Sequence, residues 1–395
     1  MPNTVSPDCP KGKQRRILFL RNSRGITDIT GAETYLINVI SGLRRAGHEV
    51  MLLTADMSTK GETPWVRALT DRQIPHEIVD VPSKFSLADM RAAMRLVKEF
   101  KPDVLHAMDH RSDAVAVWTA ARTGLPAVAS FFGWTNWAKT TLRGRLYPIF
   151  DRLVMRRLKR VIVDSAYVGE QIRSANANVQ VAVIQNGVDL ERFDPTRVSG
   201  GYKNQWFGAE DVFCVGMIGR LHPNKGHADM AEAAAQLVEK HPELRFVVLG
   251  DPPTGYEEFA DDLRARLRAL GLTEHFVITN VPSSEIPRAI ASFDVTALPS
   301  YMESLSYVML ESMAMHKPVA SARVGGHGEL ISHGENGLLF EPGDISAMVD
   351  LIDQLVSDPD AASRMGRAGF ETMRDRYSTD AMIARTCAVY DEVIS

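Results

Sequence analysis

The feature that most constrains this chain is a pattern that runs through its first half and then starts again. Short β-rich runs at 16–22, 49–54, 76–81, 103–108, 127–132, 160–165 and 181–186 alternate with amphipathic helical patterns. In one of these, "ETYLINVISGLRRAG", Tyr35, Leu36, Val39, Ile40 and Leu43 recur at helical spacing before the stop at Gly47. Such alternation builds βαβ units on a parallel sheet. After the loop "DLERFDPTRVSGGYKNQWFGAED" it restarts, with runs at 212–219, 245–250, 276–280, 294–300, 318–322 and 337–340. The expected fold class is α/β: two doubly wound, Rossmann-like parallel sheets facing a cleft, over residues 15–195 and 205–376.

Length agrees, since 395 residues exceed one ordinary core and domains average about 150. No run of about 18 apolar residues exists to span a membrane. The basic "KGKQRR" leads directly into "ILFL" without the apolar core of a secretory signal, and the first fourteen residues read as disordered. Cys9, Cys214 and Cys387 form neither a metal cluster nor an even disulfide set, which makes a reducing cytoplasm the expected location. Residues 1–200 carry 29 Lys and Arg against 20 Asp and Glu, a balance of +9; the remainder carries 16 against 29, a balance of −13. So acidic a second half, with no nucleic-acid-binding motif, argues against a nucleic-acid partner.

Open parallel sheets bind ligands beyond the carboxyl ends of their strands, so the loops after strands are where chemistry is expected. The run "LPSYMESLSYVMLESMAMHKPVASARVGG" sets Glu303 and Glu311 eight positions apart. Along a helix that is a rise of about 12 Å and a turn about 80° off one face, so the two carboxylates cannot share a proton. They fit different ends of an extended ligand, or, more simply, a helix-capping Glu303 and a solvated Glu311. Within "GMIGRLHPNKGH", Arg220 and Lys225 stand in a loop between a strand and a helix, which suits a diphosphate and is also a common surface-loop pairing. "GGHGEL" (325–330), "QNGVDLERF" (185–193) and "SRGITDITGAET" (23–34) occupy further strand ends; none is a G-x-G-x-x-G dinucleotide fingerprint.

Taken in order, "IQNGVDLERF", "GRLHPNKGH", "FDVTALPSYMESLSYVMLESMAMHKPVAS" and "VGGHGELISHGENGLLFEPGD" make residues 16–395 resemble the retaining family-4 glycosyltransferases of the GT-B fold, which use nucleotide-diphosphate sugars. The resemblance implies that Arg220 and Lys225 neutralise the departing diphosphate and that Glu303 holds the donor-sugar hydroxyls. It further implies that the backbone of Ser304, Leu305 and Ser306 lies near the phosphates with Gly219, that Glu311 binds the ribose, and that Gly31 lets the first domain approach the donor. Residues 377–395 would form a last helix crossing back to the N-terminal, acceptor-binding domain. Transfer would proceed with retention on one face of the sugar and without metal. Asp358-Pro359-Asp360, the only D-x-D triplet, reads as a capped turn between helices.

The chain departs from the family pattern at two positions. Many carry a histidine after the strand matching "AVASFFGW", where this chain has Phe132, and Ser306 stands where glycine is frequent. His106, His110, Asn186 and Ser165 are the expected acceptor-side residues. From Lys139 to Arg160 the segment "KTTLRGRLYPIFDRLVMRRLKR" holds eight basic residues and one acidic, interleaved with apolar ones. It reads as an anionic-membrane-surface face, with a glycan or lipid-linked acceptor, and equally as an ordinary packing helix with solvated cations. The alternatives to a transferase are a nucleotide-sugar epimerase on the same fold and a non-catalytic nucleotide-sugar-binding partner.

Overall fold

The computed structural model describes residues 13–22, 31–56, 63–81, 87–133 and 150–395. The chain divides into two units, one of residues 1–187 with 379–395, the other of residues 188–378. Most of the expected disordered N-terminus, residues 23–30 of the first strand-end loop and residues 139–149 of the basic segment lie outside the described residues.

The first unit is a seven-stranded sheet, parallel throughout: β1 (Arg16–Asn22), β2 (Glu49–Asp56), β3 (His76–Asp80), β4 (Val104–Ala107), β5 (Ala127–Phe131), β6 (Arg160–Val163) and β7 (Val181–Val183). Their order is β3-β2-β1-β4-β5-β6-β7, so the winding reverses between β1 and β4. All four residues of β4 and all five of β5 are buried, as expected of central strands covered on both faces. The last helix, Thr379–Ile394, packs on the helix Gly31–Arg45 so tightly that a Cβ at Gly42 would lie 2.4 Å from the Ile383 side chain. An Arg15–Asp391 ion pair of 2.8 Å adds a polar fastening.

The second unit repeats the winding with six parallel strands: β8 (Phe213–Ile218), β9 (Leu244–Leu249), β10 (Phe276–Thr279), β11 (Val295–Leu298), β12 (Val319–Ala322) and β13 (Leu338–Phe340). The order β10-β9-β8-β11-β12-β13 again reverses at the first strand. Chain entry and exit are adjacent, because Val188 pairs with Ser378 and its amide donates to Tyr377 O (2.8 Å). Every strand read from the sequence is present, and this is the GT-B fold. Asp358 of the D-x-D triplet accepts from Ala361 N (2.8 Å) at the start of the helix Pro359–Arg376, the capping role its spacing implied.

Candidate functional site

In the second unit the loops after β8, β11 and β12 are tied into one body. His222 caps the turn Pro223–Lys225, its Nδ1 accepting from Asn224 N (3.1 Å). Gly226 then takes a left-handed φ of +75°, and a Cβ there would sit 2.0 Å from Pro299 O. Only glycine lets the Lys225 loop lie this close to the β11 loop. Tyr301 N donates to Asn224 O (2.8 Å) and Tyr301 OH to Asp229 Oδ2 (2.7 Å), so backbone and side chain both clamp the two loops. Gly325 plays the same part for the β12 loop. Its φ is +53°, a Cβ would lie 2.0 Å from Glu303 O, and the next amide, Gly326 N, donates to Ser304 O (2.6 Å).

This body brings Lys225 and Glu303 together in an ion pair, with Ser300 Oγ donating to the same Glu303 oxygen (3.0 Å). Burial pushes the Glu303 carboxyl up, but the Lys225 charge and the hydrogen bonds from Lys225 and Ser300 outweigh it and hold the group below the ordinary carboxylate value. It is therefore a carboxylate at neutral pH. Lys225 keeps further N–H donors beyond the one it gives Glu303. Arg220 has an exposed side chain, while its carbonyl accepts from Nε2 of the buried His227 (2.8 Å), which fixes the loop that starts at Gly219.

Glu311 behaves differently. It lies within the helix Tyr307–Ala314, whose start is preceded by Ser304, Leu305 and Ser306. Its side chain is largely buried and, among the described residues, makes no hydrogen bond or ion pair; burial pushes the carboxyl up to about 7, opposed by the charge of Arg192. Burying a carboxyl with so little compensation disfavours its charged form, which is why its pKa is raised.

In the first unit, Gly31 opens the helix Gly31–Arg45. Two of the expected acceptor-side residues do not face a ligand. His106 is fully buried and hydrogen-bonded on both ring nitrogens, Nδ1 to Tyr390 OH (2.6 Å) and Nε2 to Ser130 Oγ (2.8 Å), and Ser130 Oγ continues to Tyr35 OH (3.0 Å). Burial pushes the imidazole down to about 3, so it stays neutral. Ser165 is likewise fully buried and caps the helix Ala166–Ala175, accepting from Val168 N (3.3 Å). Asn186 is buried as well. Phe132 is half-buried and meets Tyr35 edge-on with ring centroids 4.9 Å apart.

Of the expected acceptor-side group, His110 alone has an exposed side chain, and its Nδ1 is 2.8 Å from Asp151 Oδ1. The sequence reading missed Asp151, Ser300 and Tyr301. Asp151 had a signal, being the single acidic residue in the basic run from Lys139 to Arg160.

Residues 202–372 match the family described as "Glycosyl transferases group 1", and residues 29–192 match "Glycosyltransferase Family 4". The sulfoquinovosyl transferase SQD2 of Arabidopsis thaliana is 28% identical over 91% of this chain and 70% of its own length. A glycogen synthase of Mycobacterium tuberculosis is 25% identical over 92% and 91%. The crystal structure of Anabaena Alr3699/HepE in complex with UDP-glucose superposes with a TM-score of 0.81 at 22% identity, covering 96% of this chain and all of that one. With both units matched, in the order their motifs run, the chain belongs to the family-4, group 1 glycosyltransferases.

Proposed function

We propose that this glycosyltransferase moves a sugar from a nucleotide-diphosphate sugar to a hydroxyl of a glycan or lipid-linked acceptor, with retention of configuration and without a metal ion. The observation that carries the donor assignment is the second unit's combination of a clamped Lys225–Glu303 pair with a buried Glu311 that makes no hydrogen bond or ion pair among the described residues. The solved relative that holds UDP-glucose supports the same donor class.

Each residue has a role under this reading. Lys225 and Arg220 meet the negative charge that grows on the diphosphate as the glycosyl bond breaks, the electrostatic assistance that is strongest when the cations are fixed beforehand. Lys225 is so fixed, by Glu303. Glu303, ionised and immobile, accepts hydrogen bonds from donor-sugar hydroxyls. Glu311 accepts from the ribose hydroxyls, and the backbone of Ser304, Leu305 and Ser306 with Gly219 lies beside the phosphates, where helix N-terminal amides favour an anion. Gly31 would give the first unit's helix close access to the donor. Retention follows if the departing phosphate oxygen takes the acceptor proton on the face it leaves. The two cations supply the charge that a divalent ion supplies elsewhere, so EDTA should leave the rate unchanged.

The acceptor reading draws on the exposed surface at residues 150–159. Phe150 and Leu153 are 46% and 49% exposed, and Arg152, Arg156, Arg157 and Lys159 are exposed beside them. Apolar side chains among cations suit an anionic bilayer surface, as peripheral attachment at the cytoplasmic face would require. No helix among the described residues is long and apolar enough to cross a membrane.

The test is incubation with radiolabelled UDP- and GDP-sugars and anionic vesicles. Sugar transfer, or slow release of free sugar, with the α-configured product retained, supports the proposal. An isomerised donor would show an epimerase, and binding without turnover a non-catalytic partner. Vesicle binding should weaken as salt rises and fall in Phe150→Ser with Leu153→Ser.

A further inference from the structure

The second unit begins with a turn closed by one aspartate. Asp189 Oδ1 accepts from Glu191 N (3.0 Å) and Arg192 N (3.1 Å), and Asp189 O accepts from Phe193 N (3.0 Å). Phe193 is 2% exposed and belongs to the same apolar core as Met309, Leu310 and Met313 of the helix Tyr307–Ala314. Arg192, one position before this core phenylalanine, is thereby seated near the helix that carries Glu311.

The Arg192 guanidinium is held in place without being neutralised. Its Nη2 donates to Ser283 O in the loop after β10, and its Cζ lies 5.0 Å from the centroid of the Phe193 ring. An arginine fork carries five N–H donors and no acceptor, so several remain for another partner. Among the described residues it pairs with no carboxylate. Its charge nonetheless reaches Glu311 and opposes the effect of burial there. A cation and a carboxyl thus stand near one another without pairing, on elements that follow β10 and β11, where open parallel sheets take ligands.

A ligand that satisfies both must offer hydroxyl donors to a carboxylate and an acceptor edge to a guanidinium on one rigid body. A nucleoside does so, through its ribose and its base. The bases differ at that edge: guanine presents O6 and N7, and uracil, like thymine, presents O4, whereas adenine and cytosine place an amino donor there. A fork that only donates fits the first two and opposes an amino group.

We propose that Arg192 selects the nucleobase of the donor, donating hydrogen bonds to a carbonyl of uracil or guanine while Glu311 takes the ribose hydroxyls. This rests on the donor assignment above and adds the residue that reads the base. Bonded to Ser283 O, the fork is oriented before the nucleotide arrives, and its planar set of donors is what a lysine cannot reproduce.

The experiment is isothermal titration of the full-length protein with UDP, GDP and ADP at pH 8. The wild type should bind UDP or GDP at least tenfold more tightly than ADP, and the tighter of the two identifies the base. Arg192→Met, which removes the donors, should bring the favoured nucleotide within threefold of ADP while ADP itself changes less than threefold. Arg192→Lys, which keeps the charge without the fork, should lose most of the preference as well. Glu311→Gln should weaken all three nucleotides alike, because the ribose is common to them, and keep the ratio. An undiminished preference in Arg192→Met, or a wild type that binds ADP as tightly as the others, would overturn the proposal. So would an equal loss for all three nucleotides, since Arg192 would then only fasten the turn to Ser283. Should Arg192→Met fail to match the wild-type unfolding midpoint, Arg192→Lys decides by the same ratio. A wild type that binds none of the three fails the donor assignment itself, and this proposal with it.

Discussion

Within β4 of the first unit, His106 is sealed between Tyr390 and Ser130, and Ser130 and Tyr35 extend the same buried chain. After β11 of the second unit, the polar groups end in a carboxylate pinned to a lysine and a second carboxyl with no hydrogen-bond or ion-pair partner among the described residues. The two sheets share one winding, β3-β2-β1-β4 matched by β10-β9-β8-β11, so the difference does not come from topology. It comes from what the strand-end residues are attached to. In the first unit His106 ties the last helix, Thr379–Ile394, to the sheet through Tyr390; in the second the loops are held by glycine contacts and, on the proposed function, meet the donor. On the proposed function, the same fold uses one set of polar residues for assembly and another for binding, and substitutions should separate the two.

The largest effect is expected at Lys225. Replacing it with Ala removes the cation from the diphosphate, a loss of about 10²–10³ in kcat by analogy with single electrostatic donors. It also leaves the Glu303 carboxylate buried without its partner, at a cost of about 1–3 kcal/mol. Turnover of a labelled donor and the midpoint of denaturant unfolding check the two separately.

Gly325→Ala comes next. Its Cβ would meet Glu303 O at 2.0 Å, in a left-handed backbone conformation, so the β11 loop must move by about 1 Å or more. A displacement of that size costs about 10²-fold in rate. A normal rate in this variant would show that the clamped loops are not needed in their observed positions.

Glu311 gives a smaller and pH-dependent effect. Burial pushes its carboxyl up to about 7, so the carboxylate proposed to accept ribose hydroxyls is lost as pH falls below about 7. Donor affinity should decline on that side, by up to about tenfold per pH unit when one proton is involved. Glu311→Gln should weaken donor binding near pH 8 and remove the pH dependence, read by isothermal titration. Because the folded value is raised above the unfolded one, this group's contribution to stability is fully present below about 4.5 and fades as pH rises toward about 7.

Tyr390→Phe should do the reverse of these. It leaves a buried His106 nitrogen unsatisfied, at about 1–3 kcal/mol, and should leave donor affinity unchanged. Thermal unfolding and the same titration check it, and a loss of donor affinity would erase the distinction drawn between the two sets of polar residues.

All thirteen strands were legible because each is a short apolar run bounded by turn residues, and the period of such runs survives without tertiary knowledge. Arg220, Lys225, Glu303 and Glu311 were singled out for a related reason: they follow strands closely, and strand ends are where open sheets bind ligands. The same rule misled at His106. A four-residue strand buried throughout places it inside rather than after the sheet, and the partner that settles its role, Tyr390, lies 284 positions away. Ser165 was misread for a simpler cause, since a serine after a strand is as apt to cap the next helix as to touch a ligand. Lys225 and Glu303 were each read correctly as charged loop residues, but not as a pair, because their contact depends on glycine-enabled loop packing across 78 positions.

The most direct test of the account is an isothermal titration of the full-length protein with UDP-glucose and GDP-mannose at pH 8, repeated on Lys225→Ala, Glu311→Gln and Tyr390→Phe. The account predicts saturable binding of at least one nucleotide sugar, weakened tenfold or more in the first two variants and unchanged in the third. Equal affinity across all three variants, or loss of binding in Tyr390→Phe alone, would contradict it.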